Sequence, residues 1–482
     1  MISDKYEVVI GLEVHAQLLT KSKLFSGDST SFGASPNTHV NPVSLAHPGT
    51  LPVMNKKVIE LAVKLGIALN CRIEQHNYFA RKNYFYPDLP KGYQTTQHTA
   101  PICNGGFLTI QTATGNKDVK LNRIHMEEDA GKSIHDLFEN YTAIDLNRAG
   151  TPLLEIVTEP DLSSAEEAFN YITALRKLVR WLDVCDGNME EGSLRCDANI
   201  SVRLKGETKL GTRVEVKNLN SIRNIKKAIE IEVERLIAIV ESGEKVIQET
   251  RSFNADNNTT FSLRNKEDAD DYRYFPEPDL PPFNITKEYI SSVKNNMPEL
   301  PALLQEKYII THGLSAYDAA RICDDREDAF MYETLSAITG NYKACANWVT
   351  GPIKKYCNEN NCSIKDFPLN VSQIAALIKF TESGKVHYNI ASTKLMYAML
   401  DDQTASPESL AASMNLMKEN SIDALETWIK ETLIAMPEKV KEYKSGKKGL
   451  IGLFAGQVKK LSKGKADMEL VNKMLEERLG NE

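Results

Sequence analysis

"EVVIGLEVHAQL", residues 7–18, alternates strictly. Val8, Ile10, Leu12, Val14, Ala16 and Leu18 fall on one side of an extended chain, with Glu7, Glu13, His15 and Gln17 on the other. A period of two marks a strand with one buried face and one face open to water or a ligand. "RCDANISVR" (195–203) repeats it, opposing Cys196, Ala198, Ile200 and Val202 to Arg195, Asp197, Asn199, Ser201 and Arg203. "RVEVK" (213–217) sets Val214 and Val216 against Arg213, Glu215 and Lys217. Strands of this kind build mainly antiparallel sheets.

Two helices stand apart from the strands. "SSAEEAFNYITALRKLVRWLDV" (163–184) opens on a capping box, Ser163 to Glu166, and is apolar at 168, 172, 175, 179 and 182. "SIRNIKKAIEIEVERLIAIVESG" (221–243) is amphipathic and stops at Gly243, a natural residue beyond a helix C-terminus. The pattern predicts an α+β fold: an N-terminal domain on a mainly antiparallel sheet with flanking helices, over residues 1–293. Pro298 and Pro301 punctuate a boundary. An all-α domain over 294–405 and a small α-helical tail domain over 406–482 are expected to follow.

With 482 residues, 42% of them hydrophobic and 26% charged, the chain reads as a multidomain globular protein. No apolar run approaches the roughly 18 residues of a membrane span, and "MISDKYEVVI" lacks a signal-peptide layout. Eight scattered cysteines without a C-x-x-C pair argue against a zinc ribbon and fit a reducing, cytoplasmic setting. The net charge of −7 excludes wrapping of nucleic acid by the whole surface. A local basic stretch remains: Lys439 to Lys465 holds nine lysines and one acid, Glu442. Seven of the nine histidines fall in the first 135 residues, where chemistry is therefore sought.

The polar strand faces carry the candidate chemistry. Glu13 and His15 share a face, as do Glu215 and Lys217, and Arg195, Asp197 and Asn199. Carboxylates with a histidine can ligate a divalent cation, while arginine, lysine and asparagine can hold phosphate oxygens. A metal-assisted phosphate site and a plain solvated sheet face both fit. "FARKNYFYPDLPKGYQ" (79–94) sets Arg81, Lys82 and Lys91 among five aromatic residues, suiting either nucleotide stacking or a loop whose rings plug a core. "DDYRYFPEPDLPP" (270–282) is stiffened by prolines, and Asp271, Arg273 and Glu277 can face a site or water.

"RIHMEEDAGKS" (123–133) ends like a phosphate-binding loop, but Met126 stands where that loop needs a glycine. Its carboxylates Glu127, Glu128 and Asp129 suit Mg²⁺ or a solvated acidic turn. No GxSxG, HExxH or zinc-deaminase signature occurs, so no covalent nucleophile is evident.

These segments, with "FGASPNTHV", "HPGTLPVMN", "DLNRAGTPLLEIV" and "EVKNLNSIR", run in one order from residue 6 to about 283. Together they resemble the B subunit of the aspartyl/glutamyl-tRNA amidotransferases, and "GLFAGQVKKLSKGKAD" (452–467) resembles its tRNA-binding tail. The resemblance implies a cradle that binds mischarged Glu-tRNA(Gln) or Asp-tRNA(Asn). It phosphorylates the side-chain carboxylate with ATP and Mg²⁺, then amidates it with ammonia from a glutaminase (amidase-like) A subunit. A small C subunit completes the heterotrimer.

The resemblance further implies His15, Glu128 and Glu215 as metal ligands, with Glu13 and Glu127 close by. Strict alternation puts Glu128 on the apolar side with Met126, so this set requires a bulge near Glu127. Arg81, Lys82, Lys132, Lys217 and Asn218 are the expected contacts of ATP or acyl phosphate. Ser26 and Asp28 replace cysteines of a zinc knuckle that many members carry, so no zinc is expected. The lysine-rich tail is expected to contact tRNA phosphates. Two rivals stand beside this reading: a non-catalytic tRNA-binding scaffold, and a free-standing metal-dependent hydrolase. Whether Glu-tRNA(Gln), Asp-tRNA(Asn) or both are substrates is open.

Overall fold

The computed structural model describes residues 5–135, 137–265, 272–418, 421–462 and 464–480. Among them, thirteen strands hydrogen-bond into one sheet. Ten follow a single path: β1 (Tyr6–Gln17), β2 (Ala80–Asn83), β3 (Tyr93–Thr96), β4 (Gly115–Glu128), β5 (Pro152–Thr158), β6 (Leu194–Leu204), β7 (Val214–Lys217), β8 (Glu249–Asn254), β9 (Thr259–Asn265) and β10 (Phe275–Pro276). Their order across the sheet is β9-β8-β7-β6-β1-β5-β4-β3-β2-β10. Neighbours are antiparallel except β7 and β8. Parallel neighbours need a crossover, and a helix lies between them in the chain.

The expected alternation decides which face is buried. Ile10, Leu12, Val14, Ala16 and Leu18 of the first segment are buried, as are Cys196, Ala198, Ile200, Val214 and Val216; Val8 stays half-buried. Among the helices of this part of the chain are α1 (Lys56–Ala68), α2 (Ala165–Trp181) and α3 (Ile222–Glu241). α3 packs on β6, and α2 packs on α3. Burying such apolar side chains, at about 1.5–3 kcal/mol each, is the main force holding the layers together.

The cap of α2 lies one residue later than expected. Ser164 is extended, and its hydroxyl accepts the Glu167 N–H; the Glu167 carboxylate in turn accepts from the Ser163 N–H at 2.7 Å. Adjacent serines and adjacent glutamates make the two registers equivalent in sequence. α3 is capped by Ser221, and Gly243 follows it with φ +80°, a conformation that suits glycine.

The chain divides into two compact units between Leu300 and Pro301. The first holds the sheet. The second is built of helices, and within it Leu425, Ile429, Phe454, Val458, Val471 and Leu475 form one buried cluster. The fold is α+β. Among the described residues, no helix is long and apolar enough to cross a membrane.

Candidate active site

The polar face of the sheet is assembled by strand register. β1 lies between β6 and β5, so His15 is opposite both Arg195 and Glu155, and Glu13 is opposite Asp197. β5 in turn sets Glu155 opposite His125 of β4. Opposed residues of antiparallel strands share a face. Arg195, His15, Glu155 and His125 therefore form one row across four strands.

The row closes into a tight cluster. His15 Nε2 lies 3.4 Å from Glu155, 3.7 Å from Glu13 and 3.8 Å from Glu127. His125 Nε2 lies 3.4 Å from Glu155 and 3.5 Å from Glu127. Among the described residues, two sets of three have ligand atoms within 4.8 Å of one another: Glu13, His15 and Glu155, and His125, Glu127 and Glu155. Glu155 belongs to both.

Burial and mutual charge tune these groups. Burial opposes the charge on His125, but Glu155 and Glu127 outweigh it and push its pKa up to about 9. The same opposition leaves His15 raised. Burial disfavours an ionised Glu155, yet the two imidazoles hold it well below the usual carboxylate range. Burial, and then Glu155, push Glu13 up. The cluster is thus a charge-compensated set of oxygens and imidazoles, and a divalent cation could take the place of the imidazolium protons. His125 Nδ1 is buried without a hydrogen-bond partner among the described residues.

Glu215 belongs to neither set. It accepts a hydrogen bond from the Thr250 hydroxyl at 2.9 Å and lies 3.2 Å from Lys217. Lys217 also pairs with Asp197; burial opposes its charge, but Asp197 and Glu215 raise its pKa. Asn218, at φ +64°, turns the chain after β7 and donates to the Phe253 carbonyl.

The bulge expected near Glu127 is absent. β4 and β5 pair without a break through Leu154/Met126, Leu153/Glu127 and Pro152/Glu128, and the register shifts only beside Val157. Alternation therefore carries Glu128 to the side opposite Glu127. There it pairs with Lys91, accepts the Thr95 N–H at 2.9 Å and lines a cleft of about 210 Å³ with Phe25, His47 and Tyr93. The expected set of His15, Glu128 and Glu215 is not brought together.

The expected cations differ in what holds them. Arg81 of β2 makes a two-pronged bond to Glu277, at 2.8 and 2.7 Å, and reaches Asp279 at 3.1 Å. Lys82 Nζ lies 4.7 Å from the Tyr272 ring centre, with no carboxylate within 4.0 Å among the described residues. Burial pulls its pKa down, but Glu127 and nearby tyrosines more than offset this. Lys132 is exposed on the short strand Lys132–Ile134. Arg273 is exposed; Asp271 lies outside the described residues, as does Lys463 of the tail.

Where the zinc knuckle's cysteines would stand, Ser26 donates to Asp28 at 3.1 Å, and Ser44 bonds the same carboxylate. The fully buried Lys23 joins them: its Nζ donates to the carbonyls of His39 at 2.7 Å and Leu146 at 3.3 Å, 3.8 Å from Asp28.

Sequence reasoning missed His125 and Glu155. Glu155 is the one charge in the apolar run "PLLEIV" (152–157), and a lone buried carboxylate demands a partner. His125 stands two residues before Glu127, hence on its face.

A face of this kind is equipped to neutralise charged oxygens, as enzymes of phosphoryl and acyl transfer must. Residues 8–291 match the GatB/GatE catalytic domain and residues 330–479 the GatB domain. The aspartyl/glutamyl-tRNA(Asn/Gln) amidotransferase B subunit of Burkholderia cenocepacia is 47% identical over 493 residues, covering 99% of this chain and 100% of the relative. Its namesake from Alkalilimnicola ehrlichii is 47% identical over 477 residues, covering 98% and 99%. The chain belongs to the GatB family.

Proposed function

We propose that this chain activates the side-chain carboxylate of tRNA-bound glutamate or aspartate with ATP and converts it to the amide, yielding Gln-tRNA(Gln) or Asn-tRNA(Asn). The carboxylate oxygen attacks the γ-phosphorus, the bond to the bridging oxygen breaks, and ADP leaves. Ammonia then attacks the acyl carbon, phosphate leaves and a proton is released. The first step brings anions together, so it needs concentrated positive charge. The observation that carries this reading is the His15–Glu155–His125 row, whose surrounding carboxylates and imidazoles suit a divalent cation.

Glu13, His15 and Glu155, or His125, Glu127 and Glu155, would hold Mg²⁺, which would supply Lewis-acid neutralisation of phosphate oxygens. Glu155 orients both imidazoles. Lys82, with no carboxylate of its own, is the favoured phosphate contact, followed by Lys217. Arg81, Lys132 and Asn218 are weaker candidates, since Arg81 is occupied by Glu277 and Asn218 braces a turn. Ammonia would come from a glutaminase A subunit, with a small C subunit completing a cytoplasmic heterotrimer. The tail, 406–482, would grip tRNA phosphates; Lys441, Lys444, Lys448, Lys459 and Lys460 are exposed there.

A scaffold that only presents tRNA has no need of two histidines set among buried carboxylates, an arrangement that is costly to desolvate. The test uses the chain assembled with its partner subunits, Glu-tRNA(Gln) and ATP labelled at the γ-phosphate. Label should pass to the aminoacyl group only with a divalent cation, and His15→Ala should abolish transfer while tRNA binding persists. Undiminished transfer with weakened tRNA binding would favour the scaffold.

A further inference from the structure

Arg195 closes the acid–histidine row on β6, opposite His15 of β1. Side chains so opposed start about 4.5–5.5 Å apart. The guanidinium is held by a single prong: Nη2 donates to Asp129 Oδ2 at 2.8 Å, and Asp129 is its one ion-pair partner among the described residues. Asp197, two positions along β6, is paired with Lys217 instead. Arg195 Nε is buried without a hydrogen-bond partner, yet the side chain is 35% exposed and can be reached. Arg81 is the contrast, since Glu277 takes two of its N–H groups and Asp279 a further contact.

Asp129 is itself firmly seated. It follows β4 directly, is buried, and its Oδ2 also accepts from Gln17 Nε2 at 2.8 Å, with Arg148 Nε 3.7 Å away. Gln17 is two residues from His15 on β1, hence on the same face. The Asp129 backbone donates to the Thr151 carbonyl and accepts from the Gly150 N–H, both at 2.8 Å. A carboxylate fixed at both side chain and backbone sets the direction of Arg195 and leaves most of the guanidinium for a ligand.

We propose that Arg195 is a catalytic residue of the phosphoryl step, its guanidinium meeting the oxygens of the γ-phosphate during transfer, and that Asp129 is the positioning residue that aims it. The proposal rests on the transamidation reading. As the carboxylate oxygen bonds to phosphorus and the bridging oxygen departs with its electron pair on ADP, negative charge spreads over three equatorial oxygens. Lys82 on β2 and Arg195 on β6 stand at opposite sides of the row in the strand order, so the two cations complement each other. A planar guanidinium can donate to two oxygens of one phosphate at once, which an ammonium does less well.

The experiment uses the assembled amidotransferase, Glu-tRNA(Gln) and ATP labelled at the γ-phosphate, in single turnover. Arg195→Ala should slow transfer about 1,000-fold while tRNA affinity holds, the effect of removing an arginine from such a transfer. Added methylguanidinium should restore part of that rate and leave wild type unchanged. Arg195→Lys, which keeps the charge and loses the planar donor pair, should fall between. Asp129→Asn should cost about tenfold through misorientation. Combined with Arg195→Ala it should cost nothing further, because it acts through the guanidinium. Multiplying losses would overturn the positioning role of Asp129. Wild-type transfer in Arg195→Ala, or a loss matched by lost tRNA binding and deaf to methylguanidinium, overturns the assignment of Arg195 alone. A wild type that transfers no label refutes the transamidation reading and this proposal with it.

Discussion

Glu155 and His125, on paired strands, face each other with Oε2 and Nε2 3.4 Å apart. The carboxylate raises the imidazole pKa to about 9, so without metal His125 carries a proton at neutral pH. Its stabilising charge is fully present below about 6.5, the ordinary histidine value, and is lost as pH rises through about 9. A cation entering this set must displace that proton. Mg²⁺ affinity, measured by calorimetry, should therefore climb up to about tenfold per unit between pH 7 and 9, with proton release shrinking toward pH 9. A flat affinity would place the metal elsewhere.

Lys23 behaves in the opposite sense. Burial lowers its pKa to about 8 from 10.5, despite Asp28 and Glu128. The unfolded chain thus binds more protons between those values, and stability rises with pH there. The stabilisation is complete above about 10.5 and lost as pH falls through about 8. Relative to Lys23→Met, the wild-type chain should gain roughly 2–3 kcal/mol between pH 8 and 10, read from denaturant midpoints. Parallel curves for the two would show that Lys23 titrates normally.

The Arg81–Glu277 pair is nearly buried and two-pronged, with the Arg81 side chain 19% exposed and that of Glu277 2%. Breaking such a pair costs about 3–5 kcal/mol, largely because the partner is left uncompensated. Arg81→Ala and Glu277→Ala should each destabilise strongly, with the double variant far from additive. Additive losses, or a raised KM for ATP without lost stability, would make Arg81 a ligand contact rather than a brace.

In the tail, Lys459 and Lys460 are exposed at the end of the helix Ile451–Leu461. Each phosphate contact contributes about 0.9 to the slope of log affinity against log salt. Lys459→Gln and Lys460→Gln should each lower the tRNA salt slope by about that amount. An unchanged slope would leave these lysines as solvated surface.

Much of the sheet was legible because alternation is local: "EVVIGLEVHAQL" and "RCDANISVR" pair as β1 and β6, with their apolar positions inward. The site was legible only in part, because convergence across strands depends on register. His15 and Glu13 could be placed on one face, but nothing local says that β5 and β4 bring Glu155 and His125 beside them. Glu128 illustrates the converse: strict alternation pointed away from the site, and the unbroken β4–β5 register keeps it there. The capping residue of α2 was missed by one position because Ser163–Ser164 and Glu166–Glu167 repeat the same chemistry.

The central claim is that the row shared by Glu155, His15 and His125, and not the Glu128 side of β4, performs phosphoryl transfer. The direct measurement is γ-phosphate transfer to Glu-tRNA(Gln) by the assembled complex carrying Glu155→Gln or Glu128→Gln, with tRNA affinity measured alongside. The account predicts that Glu155→Gln lowers the transfer rate at least about 100-fold with tRNA affinity intact, as loss of a preorganised charge does. Glu128→Gln should leave that step within a few fold of wild type. Transfer that survives Glu155→Gln and fails in Glu128→Gln would contradict it.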